Sequence, residues 1–71
     1  MNFNLIEKMM EVYVLVKDDT WEDIVIYLSY DEAIKASVAN KDYRIEIFRK
    51  HQNGYVPTYN FISNGVFYNR N

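Results

Sequence analysis

The sequence predicts a small α+β fold: an antiparallel sheet with one helix packed on one face, in the order ββαβββ. Two apolar runs of five residues, Val12–Val16 and Ile24–Leu28, have the length of strands and flank a polar stretch. A capping sequence at Ser29 begins a helical pattern. Two Asn-Gly pairs then separate segments rich in β-forming residues, which indicates a meander of three further strands.

Both apolar runs lack the alternation of apolar and polar residues that is typical of a strand with one wet face. Each face of the sheet is therefore expected to pack against another part of the chain or against a partner. The chain has 71 residues, and a chain this short buries only about 60% of its unfolded surface. It contains no cysteine, so no disulfide can support a marginal core. These features favour self-association, or a partner on the second face of the sheet.

Two segments are predicted: an N-terminal arm or short helix over residues 1–10, and a single α+β domain over residues 11–71. Phe3, Ile6 and Met10 fit one stripe of a short helix, and they fit an extended arm equally well. Such an arm could pack on a second subunit or be exchanged with it.

The first two strands are predicted at 11–17 and 23–28, joined as a hairpin. The favoured register puts six aliphatic side chains on one face: Val12, Val14, Val16, Ile24, Ile26 and Leu28. The other face then carries three cross-strand pairs: Tyr13 with Tyr27, Leu15 with Val25, and Lys17 with Asp23. Matched aromatic, aliphatic and opposite-charge pairs are favourable. We predict that the aliphatic face is the core and that the tyrosine-bearing face is the second surface.

Ser29 is predicted to cap the helix, because its side chain can accept a hydrogen bond from the amide of Glu32 while Glu32 reaches back to the Ser29 amide. Small and apolar residues recur on one side at helical spacing: Tyr30, Ala33, Ile34, Ser37 and Val38. Asn40 is predicted to end the helix, since asparagine tolerates the left-handed conformation found at helix C-termini.

Three more strands are predicted near 43–50, 55–62 and 66–69, with turns at Asn53-Gly54 and Asn64-Gly65. A tight first turn gives three pairs: Phe48 with Tyr59, Glu46 with Phe61, and Ile45 with Ile62. A looser turn sends Tyr59 and Phe61 to the core instead. Pro57 has no amide donor, which favours a sheet edge or a bulge at that point.

One helix cannot cover both faces of this sheet, so the second face is predicted to be an interaction site. The predicted interface consists of Tyr13, Leu15, Val25, Tyr27, Phe48, Tyr59 and Phe61. Its predicted occupant is a second copy of the chain, or else another protein.

Trp21 and His51 are candidates for further contacts from loops. Trp21 lies in the polar loop after the first strand, and it either anchors a partner or folds back on the small core. His51 precedes a predicted turn, where the sequence places no nucleophile or orienting group. An exposed loop histidine is therefore favoured over a general base, and no catalytic residue is predicted.

An acidic cluster in the first loop could attract a cation. Its members are Asp18, Asp19, Glu22 and Asp23. Calcium loops space their carboxylates at alternate positions and include a glycine for the sharp bend, and this loop has neither feature. We predict a solvated loop, with no metal and no cofactor.

The formal net charge is −2, which argues against a general nucleic-acid binder. Arg44, Arg49 and Lys50 nevertheless form a small basic strip, and aromatic side chains on strands can stack on bases. A nucleic-acid or chromatin-associated factor is therefore the alternative to a protein-interaction module. An enzyme with a site shared across a dimer is less favoured, because no nucleophile-base or metal constellation is recognised.

The apolar runs fall far short of the ~20 residues that a membrane-spanning helix needs, and no secretory signal is recognised. These features predict an intracellular protein that is neither secreted nor bound to a membrane.

Four segments carry a resemblance to other proteins: 12–24 (VYVLVKDDTWEDI), 31–34 (DEAI), 43–48 (YRIEIF) and 54–59 (GYVPTY). They resemble short uncharacterised proteins encoded by giant (nucleocytoplasmic large) DNA viruses of amoebae. The resemblance implies a viral origin, an unassigned role in infection, and a place in the host cytoplasm, the nucleus or the virion. The implied partner is a virion component or a host protein. We therefore predict a small non-enzymatic interaction module that forms a homodimer.

Overall fold

The computed structural model describes residues 10–70, and the predicted arm or helix at the N-terminus lies outside them except for Met10. The element order confirms the predicted α+β fold. The elements are β1 (Glu11–Val16), β2 (Ile24–Tyr27), α1 (Tyr30–Ala39), β3 (Arg44–His51), β4 (Gly54–Ser63) and β5 (Val66–Tyr68). The described strands form a single sheet in the order β2-β1-β3-β4-β5, and every neighbouring pair is antiparallel.

The hairpin of β1 and β2 has the predicted register. Four pairs are formed: Tyr13 with Tyr27, Val14 with Ile26, Leu15 with Val25, and Val16 with Ile24. Beyond the last pair, Lys17 Nζ lies 3.8 Å from Asp23 Oδ2, as the charge pattern predicts. The predicted pair of Val12 with Leu28 is absent from the described ladder, because β2 ends at Tyr27.

The helix covers the opposite face of the sheet from the one predicted. The buried core beneath it consists of Tyr13, Leu15, Ala33, Ile45, Ile47 and Ile62. Side chains packed around this core are Tyr27, Tyr30, Ile34 and Ala36. The prediction that the valine-bearing face of the hairpin is the helix-covered core is therefore wrong.

The third strand explains this correction. β3 pairs with β1 and sets Ile47 beside Tyr13 and Ile45 beside Leu15, so the tyrosine-bearing face continues as an aliphatic row. The valine-bearing face continues instead into Arg44 and Glu46, which pair with Val16 and Val14. Burying charged side chains beneath a helix is costly, so the composition of the whole sheet decides which face is covered.

Tyr13 fits the core because its ring and its hydroxyl both have partners. The ring packs edge-on against Tyr30 of α1, with centroids 5.7 Å apart. The hydroxyl donates to Glu11 Oε1 at 3.3 Å. Burial is the main cause that raises the pKa of Tyr13 well above its ordinary value, and the negative charge of Glu11 is the next.

The helix begins and ends where the sequence predicts, although its end has a different geometry. Ser29 Oγ accepts a hydrogen bond from the amide of Glu32 at 3.4 Å. Asn40 ends the helix with φ −130°, outside the left-handed region. Its side-chain Nδ2 donates to the carbonyl of Ala36 at 2.8 Å, and this hydrogen bond caps the helix in place of a left-handed turn.

The turn between β4 and β5 is the predicted Asn64-Gly65 turn. Ser63 pairs with Val66, and the two residues between them have φ of 48° and 77°. The amide of Gly65 donates to Ser37 Oγ at 2.9 Å, which ties this turn to the helix.

The turn between β3 and β4 lies one residue before the predicted position. His51 pairs with Gly54, so the loop residues are Gln52 and Asn53, and Gln52 has a φ of 56°. Ile45 lies opposite Ile62 and Glu46 lies opposite Phe61, as predicted. Phe48, however, lies opposite Pro57 rather than Tyr59, so that predicted pair is wrong.

A bulge in β4 reconciles the two parts of this register. The ladder is interrupted between Glu46 and Phe48, and Tyr59 has a φ of 68° at that point. Thr58 Oγ1 donates to the carbonyl of Ile47 at 2.8 Å and accepts from the amide of Asn60 at 3.2 Å. The irregularity begins directly after Pro57, where the sequence predicts an edge or a bulge.

Candidate interaction surface

The sheet face turned away from α1 is called the open face. Its side chains follow from the ladder, since residues directly opposite one another point to the same side. Among them are Val12, Val14, Val16, Ile24, Ile26, Arg44, Glu46, Phe48, Phe61, Val66 and Tyr68. Of the predicted interface residues, Phe48 and Phe61 lie on this face.

The other predicted interface residues lie elsewhere. Tyr13 and Leu15 are 0% and 2% exposed beneath the helix, so they cannot form a contact surface while α1 is in place. Val25 and Tyr27 share their side of the sheet but belong to the edge strand β2, where Tyr27 packs against the core. Tyr59 is exposed in the β4 bulge.

The loop that carries Trp21 is held by one carboxylate. Asp18 Oδ1 accepts from the Thr20 amide at 3.0 Å, from Thr20 Oγ1 at 2.7 Å and from the Trp21 amide at 3.1 Å. The hydrogen bond from the Thr20 hydroxyl is the main reason that the pKa of Asp18 lies below its ordinary value. Trp21 itself adopts a left-handed backbone conformation, with φ 61°.

Trp21 folds back onto the open face. Its ring packs edge-on against Phe48, with centroids 5.9 Å apart and planes at 89°. Phe48 pairs with Val12, near the end of β1 that is remote from the loop. Val14 and Val16 are also buried, on a face that the helix does not cover. Trp21 packs against Phe48 but is still 37% exposed, and its role as an anchor for a partner stays a prediction.

The β3-β4-β5 side of the open face is closed by charge and stacking. Glu46 is buried, and its carboxylate accepts from Arg44 Nε and, at 3.0 Å, from Arg70 Nη1. The Arg70 guanidinium lies 4.2 Å above the ring of Phe61. Phe61 stacks on Tyr68 with centroids 5.0 Å apart. This side of the face thus has internal partners for its charges and its rings.

The basic strip is mostly neutralised within the protein. Arg44 is paired with Glu46, and Arg49 Nη2 lies 3.0 Å from Glu11 Oε2. Lys50 packs its Nζ 5.2 Å from the centroid of Tyr55. His51 is exposed beside the two-residue loop. Two of the three predicted cations are therefore held by carboxylates of the chain itself.

The β2 edge carries exposed apolar side chains, as does β5 at the other end of the described sheet. Val25, Ile26 and Leu28 are 38%, 56% and 76% exposed, all within a stretch of five consecutive apolar residues. β2 forms one end of the sheet and contains no charged residue. Sequence reasoning placed Ile26 and Leu28 on the core face and Val25 on the interaction surface, because nothing in the hairpin indicates which of its two strands becomes the edge.

Metal and membrane sites receive no support from the part of the chain that is described. Residues 10–70 contain no group of three or more His, Asp or Glu side chains placed to hold a metal ion. Within the same range, no helix is long and apolar enough to cross a membrane. No protein-family model, curated protein or solved structure matches this chain.

Proposed function

We propose that this protein is a small non-enzymatic interaction module that acts as a homodimer, with the β2 edge as its contact surface. The observation that supports the proposal is the run of exposed aliphatic residues Val25, Ile26 and Leu28 along the edge strand β2 and directly after it. Apolar side chains grouped in this way on a small protein are typical of an interaction site.

The energetics favour an apolar contact between two copies. Fully burying one aliphatic side chain of this size contributes about 1.5–3 kcal/mol. Two copies bring together both sets of Val25, Ile26 and Leu28, against an association cost of about 4–15 kcal/mol. The gain is of the same order as the cost, so burial of these side chains offsets association without by itself supplying the roughly 8 kcal/mol of a micromolar dimer.

The ion pairs of the basic strip favour this function over nucleic-acid binding. A phosphate backbone is attracted by cations that are free to release counterions. Arg44 and Arg49 are each engaged by a carboxylate of the chain. The viral origin implied by the sequence resemblance remains a prediction, and under it a virion or host protein would be the alternative occupant of the β2 edge.

Light scattering across a dilution series tests the proposal. The expected mass is twice the 8.6 kDa of one chain. Ile26→Glu should give a monomer, because dimerisation would bury an unpaired charge. Circular dichroism would show whether this variant keeps its fold.

Val56→Glu is the matched control, since it adds the same charge at an exposed β4 position remote from β2 and should leave the dimer intact. A wild-type protein that stays monomeric at micromolar concentration would contradict the proposal. Retardation of oligonucleotides at low salt, to the same extent by the wild type and by Ile26→Glu, would also contradict the proposal.

A further inference from the structure

We infer that two copies join by antiparallel pairing of β2 with the β2 of the second copy, which continues the sheet across the dimer. The inference rests on the proposed function, since it specifies how the homodimer is built. Its basis is the position and composition of β2, the direction of the strands, and the apolar residues that extend to Leu28.

Within residues 10–70, β2 lacks several of the features that usually protect an edge strand, although at four residues it is short. An edge presents unpaired amide and carbonyl groups along its outer side, and proteins blunt it with lysine, proline, a bulge or a covering segment. The strand Ile24–Tyr27 is a regular apolar run without lysine or proline, and its ladder to β1 has no register shift. It is therefore a template for one more strand.

The other edge strand, β5, also carries exposed apolar side chains, with Val66, Phe67 and Tyr68 at 51%, 48% and 45%, but it is shorter than β2. β5 has three residues, Val66–Tyr68, and Arg70 soon after it turns back to contact Glu46 and Phe61 on the open face. Every neighbouring pair of strands is antiparallel, so β2 and β5 run in the same direction. Copies joined β2 to β5 in one orientation would pair in parallel and grow without closing, whereas β2 with β2 closes after two copies.

Two-fold symmetry defines how the strands would meet. Strands related by a two-fold axis and paired antiparallel require an axis perpendicular to the sheet, which places both helices on the same side. Residues directly opposite in a sheet point to the same side. The axis must therefore set one residue opposite its own copy, and the central candidates are Val25 and Ile26.

The apolar run favours the register centred on Ile26. Within β2 that register places Val25 opposite Tyr27 of the second copy and Ile26 opposite its own copy, and the residue that follows the ladder is the apolar Leu28. A register centred on Val25 instead places Tyr27 of the second copy opposite the charged Asp23, which lies outside β2.

Amide hydrogen exchange of the wild-type dimer tests the inference. Successive amides of a strand point alternately to either side, so in an open edge every second amide of β2 lacks a strand partner. Edge pairing should slow exchange of the outward amide of Val25 or Ile26 more than about tenfold relative to the Ile26→Glu monomer, so that both amides exchange slowly in the dimer. The amide that points toward β1 serves as the internal reference.

A cysteine scan gives an independent readout, because the chain has no cysteine of its own. Ile26→Cys should form an intermolecular disulfide under mild oxidation, since opposite residues bring their Cβ atoms about 4.5–5.5 Å apart. Val25→Cys should not, because Val25 and its copy are then diagonal neighbours about 7–8 Å apart. Val56→Cys is the distant control.

The outcomes separate this inference from the proposed function. A dimer with slow exchange at both amides and cross-linking at position 26 supports both. A dimer in which the outward amide exchanges as fast as in Ile26→Glu keeps the proposed function and overturns edge pairing in favour of packing through a face. A monomer, or a monomer that pairs only with an added extended peptide, overturns both.

Discussion

At the scale of single residues, Asp18 positions Trp21. One carboxylate oxygen accepts three hydrogen bonds within its own loop, and this loop carries the indole back to Phe48. Trp21 is the single tryptophan of the chain, so its fluorescence reports on this contact.

The state of this loop is expected to depend on pH. The pKa of Asp18 is lowered in the folded protein, so its contribution to stability is present above the ordinary value of 3.8 and is lost as the pH falls through the lower folded value. Trp21 emission should therefore shift toward that of a solvent-exposed indole only below pH 3.8.

Two substitutions at Asp18 distinguish the role of its acceptor oxygen from the role of its negative charge. Asp18→Ala removes the acceptor and should release Trp21 at neutral pH. Asp18→Asn keeps an acceptor oxygen that does not titrate, so it should retain the contact and lose the acid transition. An identical emission profile for wild type and Asp18→Asn between pH 2 and pH 5 would contradict this assignment.

At the scale of elements, the two Asn-Gly sequences play unequal parts. Gly65 has φ +77°, and a Cβ added there would lie 3.1 Å from Val38 Cγ2 on the helix. Gly54 is not in the left-handed region, and nothing lies within 4 Å of a Cβ added there. The sequence motif is the same, but one glycine is required by the turn and the other is not.

Gly65→Ala should lower the free energy of unfolding by about 1–2 kcal/mol, because an alanine in the left-handed conformation is strained. Gly54→Ala should leave stability nearly unchanged or slightly increased, since it reduces the freedom of the unfolded chain. Urea denaturation of both variants measures the difference.

Val38→Ala combined with Gly65→Ala separates the steric contact from the backbone strain. If the contact with Val38 adds to the cost, the double variant should lose less stability than the two single changes predict together. Equal losses for Gly65→Ala and Gly54→Ala would refute the assignment of strain to the Asn64-Gly65 turn.

Local elements of this fold follow from the sequence, and their arrangement does not. The cap at Ser29 and the register of β1 with β2 depend on residues close in the chain, and both are predicted correctly. The choice of covered face depends on Ile45 and Ile47, which reach β1 only after the helix has returned the chain to the sheet. The position of Trp21 likewise depends on Phe48, a residue remote in sequence.

The β4 bulge shows a different limit. A two-residue loop at Gln52 and Asn53 and the pair of Ile45 with Ile62 demand different registers, and an irregular stretch after Pro57 satisfies both. Asn53-Gly54 favours a turn, but the ladder places Gly54 within β4. Pro57 predicts an edge or a bulge near this point, but the sequence does not predict the change of register that the bulge compensates.

At the scale of the whole molecule, assembly and stability should be coupled. If folding and dimerisation are linked, the unfolding midpoint rises with protein concentration, by about 1.4 kcal/mol of stability per tenfold increase. Thermal unfolding followed by circular dichroism at several concentrations measures this. Ile26→Glu should show a midpoint that does not depend on concentration, and a wild-type midpoint with the same behaviour would contradict the dimer.

The central place of β1 also constrains the order in which the chain can fold. β1 is the first described strand, yet in the sheet it lies between β2 and β3. In the sequence, β2 precedes the helix and β3 follows it. The hairpin of β1 and β2 can close locally, while β1 with β3 closes a loop that spans the whole helix and carries a larger entropic cost. Until β3 arrives, Tyr13 and Leu15 lack the isoleucines that flank them. Docking of β3 is therefore the step expected to limit the folding rate.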